Sequence, residues 1–168
     1  MDYYNEISEG YNELHKAEQL NKVRIIISNY DFTNKKILDI GSGPGYLLEY
    51  LIENNINFKE YTGIDPSVKL MKLSKYYKIK IKKNKKFIKS KIEDFKFKKK
   101  YDIIVIISSI HHFDKISIIK KIRKYAEDFI FSVYRGSRSF DKIKRIIENN
   151  FNINNIIKEE KDTIYLCK

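Results

Sequence analysis

Short apolar runs alternate along this chain with stretches in which apolar residues recur every three or four positions. The short runs suit strands that a parallel sheet buries on both faces, and the periodic stretches suit amphipathic helices. The predicted strands are 36–40, 61–65, 86–89, 102–108 and 129–134, and the predicted helices are 46–53, 67–76, 115–125 and 140–149. This alternation predicts an α/β fold with a doubly wound, mostly parallel sheet and helices on both faces.

The two ends of the chain complete this arrangement. Residues 2–30 carry apolar positions at helical spacing and are predicted to form two helices separated at Gly10, because glycine is a weak helix former. Residues 152–158 and 163–167, separated by a polar stretch, are predicted to form a closing antiparallel hairpin. The sheet therefore has seven predicted strands, of which the last is antiparallel.

Length and composition fit one compact domain without a membrane segment. The chain has 168 residues, and its longest uncharged apolar run, 103–110, is far shorter than the roughly 20 residues of a membrane-spanning helix. The acidic amino terminus lacks the basic and apolar regions of a secretory signal, so we expect a cytoplasmic protein. Cys167 is the one cysteine and has no neighbour at metal-ligand spacing, and no metal site is predicted.

The charge of the chain is strongly basic. The formal net charge is +12, from 34 basic and 22 acidic residues, and residues 78–100 alone hold twelve lysines against two acidic residues. Such a surface is typical of proteins that bind nucleic acid, and the interleaved aromatic residues could stack on RNA bases. The alternatives are an edge strand that lysines protect from aggregation, and a lysine excess that reflects AT-rich codons.

A glycine-rich turn supplies the first candidate for chemistry. Gly41, Gly43 and Gly45 follow the predicted strand 36–40 and precede a predicted helix. Glycine accepts the positive φ values of such a turn, and the start of the helix offers free backbone N–H groups to a bound group. The spacing is G-x-G-x-G, whereas the dinucleotide fingerprint is G-x-G-x-x-G, and Tyr46 stands where its third glycine would be.

Asp65 supplies the second candidate. It ends the next predicted strand about 20 residues after the turn, where an acidic side chain can accept hydrogen bonds from the ribose hydroxyls of an adenosine. The alternative is that Asp65 only caps the helix that follows. Its position relative to the glycine turn favours ribose binding.

These segments resemble class I S-adenosylmethionine-dependent methyltransferases, in particular the ubiquinone-biosynthesis-like branch. ILDIGSGPG at 37–45 and YTGIDPS at 61–67 look like the first two motifs of that family, and FIKSKIEDFKF and YDIIVIISSIHHF resemble its third and fourth strands. The resemblance implies a Rossmann-like fold and S-adenosylmethionine as the cofactor. It also implies an amino-terminal helical lid, residues 1–34, on a methyltransferase core, residues 35–168.

The resemblance assigns roles to individual residues. The glycine turn and Asp39 would surround the methionine part, Asp65 would hold the ribose, Ile92 and Glu93 would lie by the adenine, and Ser108 would lie beneath the sulfonium. The residues expected to bind the cofactor are Tyr11, Asp39, Gly41, Ser42, Gly43, Gly45, Asp65, Pro66, Ile92, Glu93 and Ser108. Many relatives carry an acidic residue where this chain has Lys91, and lysine offers no acceptor to the adenine amine.

His111 and His112 follow the predicted central strand, where the methyl acceptor should enter. Either imidazole could act as a general base near neutral pH, although a purely structural role is the more common one in the resembled family. Without a third ligand the pair does not indicate zinc.

The sequence thus predicts methyl transfer from S-adenosylmethionine to an acceptor that it does not identify, with RNA favoured over a small metabolite. The absence of large insertions leaves little chain to build a substrate pocket, which favours a large substrate or a partner subunit. Two alternatives remain open at this point: a nicotinamide-dependent oxidoreductase, and a non-catalytic RNA-binding module with the same fold.

Overall fold

The computed structural model describes the backbone of residues 8–77 and 84–168 and the side chains of residues 15–77 and 84–168. The described strands are β1 (Lys36–Ile40), β2 (Glu60–Asp65), β3 (Lys85–Lys89), β4 (Ile103–Ile107), β5 (Asp128–Tyr134), β6 (Ile153–Lys158) and β7 (Asp162–Cys167). The described helices are α1 (Ser8–Asn29), α2 (Tyr46–Glu53), α3 (Val68–Lys72), α4 (Ile118–Ile122) and α5 (Phe140–Asn150). Single 3₁₀ turns occur at Ile110–His112 and Arg123–Tyr125.

The seven strands form one sheet in the order β3-β2-β1-β4-β5-β7-β6. Neighbouring strands from β3 to β5 are parallel, and β7 is antiparallel to both β5 and β6. The chain runs from β1 outward to β3 and then returns to place β4 on the other side of β1. Ligands of doubly wound sheets bind beyond the carboxyl ends of the strands at such a reversal. The predicted Rossmann-like fold is confirmed.

Two apolar layers cover the sheet. Along β4, Ile104 and Ile106 face one layer with α4 and α5, while Ile103 and Val105 face the other with α1 and α2. Because successive side chains of a strand point to opposite faces, a strand in this position must be apolar throughout. This requirement explains why the run IIVII marks the centre of the sheet.

The helices differ from the predicted ones more than the strands do. Helix α1 continues through Gly10, so the predicted break there is wrong; a single glycine costs about 1 kcal/mol in a helix, less than the burial of Val23 and Ile26 contributes. Helix α3 ends at Lys72 rather than near residue 76. Helix α4 is one turn followed by a 3₁₀ turn, because tertiary packing overrides helical periodicity in short segments.

Candidate functional site

The glycine turn closes one side of a cavity at the carboxyl end of β1. Gly41, Gly43 and Gly45 all have positive φ, of 71°, 49° and 75°, which accounts for glycine at each position. A Cβ atom at Gly41 would lie 2.4 Å from Ser109 Oγ, so that glycine also permits close packing. A Cβ atom at Gly43 would meet no described atom within 4 Å, and it would therefore project into open space.

Asp65 joins the glycine turn to the start of α3. Its Oδ2 accepts a hydrogen bond from the Gly43 amide at 2.8 Å, and its Oδ1 accepts one from the Ser67 amide at 2.7 Å. Burial raises the pKa of the Asp65 carboxyl, and the two backbone N–H donors oppose that shift. Ser67 caps α3 itself, because its Oγ accepts from the Leu70 amide. The carboxylate of Asp65 keeps further lone pairs for hydroxyl donors.

The cavity between these elements has a volume of about 340 Å³. It contains ten of the residues that the sequence singled out: Asp39, Gly41, Ser42, Gly43, Asp65, Pro66, Ile92, Glu93, Ser108 and His112. Gly45 and His111 lie outside this lining, where Gly45 is the N-cap of α2. Tyr11 lies in the first turns of α1, outside the side chains that the structure describes. Gln19 and Val23 of α1 and Asp114 also line the cavity, and sequence motifs did not indicate them.

Asp39 forms a buried acidic patch in the cavity wall. The Tyr61 hydroxyl donates to Asp39 Oδ2 at 2.6 Å. Burial raises the pKa of the Asp39 carboxyl to about 7, although the bond from Tyr61 opposes the shift. The charge of this part of the wall therefore changes near neutral pH.

Lys91 and Asp114 form the rim at the end of the cavity nearest β3. Lys91 Nζ lies 2.5 Å from Asp114 Oδ2, and this hydrogen bond raises the pKa of the lysine. Glu93 Oε1 accepts from the Lys115 amide at 3.1 Å and so holds the loop that carries Asp114. Ile92 is buried and presents an apolar wall between them. The lysine that departs from the family pattern is thus paired with a nearby acid.

Ser108 occupies the other end of the cavity and has a φ of 51°, which is uncommon for a residue with a side chain. Its hydroxyl donates to Asp162 Oδ2 at 2.6 Å and accepts from Lys22 Nζ at 3.1 Å. Sequence reasoning missed Lys22 and Asp162. One feature of the sequence could have indicated Lys22: this lysine lies among the apolar helical positions Leu20, Val23 and Ile26.

The two histidines have different surroundings. Their rings lie 3.9 Å apart between centroids, and His112 lines the cavity. Burial lowers the pKa of both imidazoles; for His112 the neighbouring His111 contributes too, and the pKa falls to about 4. His111 Nδ1 is buried without a hydrogen-bond partner among the described residues. Those residues contain no group of three His, Cys, Asp or Glu side chains that could hold a metal ion.

Three features together define a nucleotide-binding α/β domain. They are the glycine turn with positive φ, the acidic residue after the second strand, and the cavity where the strand order reverses. The sequence profile of a methyltransferase-domain family matches residues 38–128, more than half of the chain. The chain belongs to this family. It is a methyltransferase that uses S-adenosylmethionine, and this decides against the oxidoreductase and the non-catalytic module.

Solved structures of methyltransferases share the fold. One of them is a chain in the complex between the Haloferax volcanii Trm112 methyltransferase activator and a methyltransferase. It aligns with a TM-score of 0.79 at 10% identity, over 98% of this chain and 96% of that one. A SAM-dependent methyltransferase from Aquifex aeolicus gives 0.72 at 15% identity, over 95% of each chain. Magnesium protoporphyrin IX methyltransferase from Synechocystis PCC 6803 with bound SAM gives 0.69 at 17%, over 91% of this chain and 78% of that one.

No curated protein matches the sequence. Within residues 8–77 and 84–168, no helix is long and apolar enough to cross a membrane. The cytoplasmic location stays a prediction.

Proposed function

We propose that the 340 Å³ cavity holds S-adenosylmethionine, with its ribose at Asp65 and its methionine part along Asp39 and the glycine turn. The observation that carries this assignment is the bond from the Gly43 amide to Asp65, which places an acceptor for hydroxyls beside a turn with open space above it. Ile92 offers an apolar face to the adenine, and Ser108 lies at the opposite end, where the sulfonium would be.

The residues around the cavity fit this cofactor in size and chemistry. Clefts that bury a small ligand usually measure about 300–1,000 Å³ and combine apolar walls with a few polar groups. The walls here contain the apolar side chains of Val23, Leu47 and Ile92 together with the carboxyl groups of Asp39 and Asp65. Acidic groups suit a ligand that carries a sulfonium and an ammonium charge. Helix α1 covers one side through Gln19 and Val23, which supports a lid role for the described part of the segment 1–34.

S-adenosylmethionine supplies an electrophilic methyl group on its sulfonium, so the chain mainly has to orient two reactants and exclude water. His112 is a poor base at neutral pH, because burial and His111 lower its pKa to about 4. Burial and the charge of Lys22 lower the pKa of His111 too, but Asp162 opposes that shift, and His111 Nδ1 lacks a hydrogen-bond partner among the described residues. His111 is therefore the stronger candidate of the two for accepting a proton from an acceptor group.

We propose RNA as the acceptor class. A cavity of this volume accommodates one cofactor, so the acceptor binds at the surface beside Ser108 and His111. There Tyr134 is 39% exposed, and its ring centroid lies 6.2 Å from that of His111. Arg138, in the loop after β5, is exposed as well, and the chain carries a net charge of +12. An exposed aromatic ring among cations suits the stacking of an unpaired base beside its phosphates.

Transfer of a labelled methyl group to separated RNA, protein and small-molecule fractions of the source cell tests this proposal. We expect label in RNA, and we expect Tyr134→Ala to reduce transfer to RNA while S-adenosylmethionine binding stays unchanged. Label confined to the protein or small-molecule fraction would contradict the RNA assignment. It would leave the cofactor site standing.

We also propose a partner subunit, because the fold aligns over nearly its whole length with a chain of a solved complex that contains a methyltransferase activator. In this proposal the activator subunit completes the acceptor surface beside Ser108 and His111. Copurification of the tagged protein from its source cell, followed by mass measurement of the eluted complex, tests this. A stable heterodimer would support the proposal, and a monomer with full transfer activity would contradict it.

A further inference from the structure

A buried ion pair lies next to the cofactor cavity and is not explained by the fold. Lys22 of α1 is 1% exposed and Asp162 of β7 is fully buried, with 2.9 Å between Lys22 Nζ and Asp162 Oδ1. Removing two charges from water is costly, and apolar residues of similar size often stabilise a protein at least as well. A pair in this position therefore calls for a role beyond stability.

The pair is the centre of a hydrogen-bonded cluster that joins four elements. Asp162 Oδ2 accepts from the hydroxyls of Ser108 and Ser132, each at 2.6 Å. Lys22 Nζ donates to Ser108 Oγ at 3.1 Å and to Glu18 Oε1 at 2.7 Å. The cluster thus connects α1 with the ends of β4 and β7 and with the middle of β5. In a buried network of this kind each member fixes the orientation of the others.

Ser108 is the member of the cluster that faces the cavity. Its φ of 51° is a left-handed conformation that costs free energy for a residue with a Cβ atom, and such strain persists where neighbours impose it. Both Lys22 and Asp162 bind its hydroxyl. The pair accordingly holds Ser108 in place at the end of the cavity where the methyl group would be transferred.

The same lysine fixes the position of α1. Gln19 and Val23 line the cavity on either side of Lys22 along the helix. Lys22 is their neighbour on α1 and is tied to the sheet by the buried carboxylate. The ion pair thereby sets how closely α1 covers the cofactor.

We propose that Lys22 and Asp162 are positioning residues for methyl transfer, which hold Ser108 and the cavity face of α1 against the bound cofactor. This inference rests on the cofactor site proposed above. A positioning role and a purely structural role predict different results when both residues are replaced by neutral ones. If Lys22 and Asp162 are positioning residues, the double variant should fold normally but should still bind S-adenosylmethionine weakly.

The decisive variant is the double substitution Lys22→Met and Asp162→Asn. Each single variant leaves one buried group without its partner and should melt at a lower temperature. The double variant removes both charges, and we expect its melting temperature to return to within about 5 °C of the unmodified protein. Calorimetric titration with S-adenosylmethionine, well below melting, should still show affinity about tenfold weaker.

Two controls make the outcome specific. Lys144→Met removes a charge from an exposed pair on α5, in which Lys144 Nζ lies 3.8 Å from Glu148, and should leave affinity unchanged. Asp65→Ala tests the cofactor site itself. If Asp65→Ala weakens binding and the double variant binds normally, or if the double variant fails to fold, the positioning role is overturned while the site stands. If Asp65→Ala has no effect, the site assignment fails instead.

Discussion

The two ends of the proposed cofactor cavity are built in different ways. At the glycine-turn end, backbone amides and one carboxylate meet across 22 residues of chain, and the parts belong to two consecutive strand ends. At the Ser108 end, the Ser108 hydroxyl contacts Lys22 and Asp162, which lie 86 and 54 positions away from it in the chain. The first end depends on local backbone geometry and leaves a motif in the sequence. The second depends on tertiary contacts and leaves almost none.

The difference implies that substitutions at the two ends should separate binding from stability in different ways. In the glycine turn, substitution of Gly43 should weaken binding with little loss of stability. At the Ser108 end, a single substitution at Lys22 or Asp162 should lower both stability and binding. Removal of both charges should lower binding alone.

The largest expected effect is that of Gly43→Ala. The new Cβ atom meets no described protein atom at a residue that lines the cavity, so unfolding should be easier by only about 1 kcal/mol, from the positive φ. Binding of S-adenosylmethionine should weaken by about 100-fold, because the methyl group takes the space of the ligand. Chemical denaturation and calorimetric titration of the same preparation measure both quantities. Equal affinity in the variant would show that the ligand lies elsewhere.

Asp65→Ala should have the next largest effect. It removes the proposed acceptor for the ribose hydroxyls and the acceptor of the Gly43 amide, and affinity should fall by about 10- to 100-fold, as expected when hydrogen bonds to a charged group are lost. Asp65→Asn keeps one acceptor oxygen and serves as the matched control, with an intermediate affinity. A normal affinity for both variants would refute the ribose assignment.

Asp39 should make stability depend on pH. Its pKa in the folded chain is about 7, well above that of an unfolded aspartate, so the folded state retains a proton that the unfolded state has lost. The contribution of Asp39 to the free energy of unfolding is at its maximum below about pH 4 and is lost as the pH rises through about 7. Asp39→Asn should flatten the profile in that window. Urea denaturation from pH 4 to pH 8 measures the difference, and parallel profiles would contradict the assignment.

The smallest expected effect is that of Lys91→Ala at the rim. The lysine pairs with Asp114, whose side chain is more than half exposed, and such surface pairs contribute little. We expect the affinity for S-adenosylmethionine to change by less than about threefold, a difference of about 0.7 kcal/mol in binding free energy. Titration at low and high salt checks this. A large loss would show that Lys91 itself contacts the cofactor.

The sequence predicted the strands well because their patterns are local. The run at residues 103–107 could be identified as central since a strand covered on both faces must be apolar throughout. The helices were less predictable: α1 runs through Gly10, and α4 is a single turn, because packing against the sheet determines where these segments end. Asp65 and the glycine turn were found by their spacing.

Ser108 was expected at the cavity, but its partners Lys22 and Asp162 could not be predicted, for a physical reason. A buried lysine and a buried aspartate look like surface residues in a sequence, since charged residues are almost always exposed. Only the fold shows that Lys22 and Asp162 lie 2.9 Å apart, and that Asp114 comes next to Lys91. The positive φ of Ser108 likewise results from its partners and not from its residue type.

The proposed cofactor site is best tested by calorimetric titration of the unmodified protein with S-adenosylmethionine, S-adenosylhomocysteine and a nicotinamide dinucleotide. The proposed site predicts saturable binding of the first two, each with one site per chain, and no binding of the third. Binding of the nicotinamide dinucleotide without S-adenosylmethionine would contradict it.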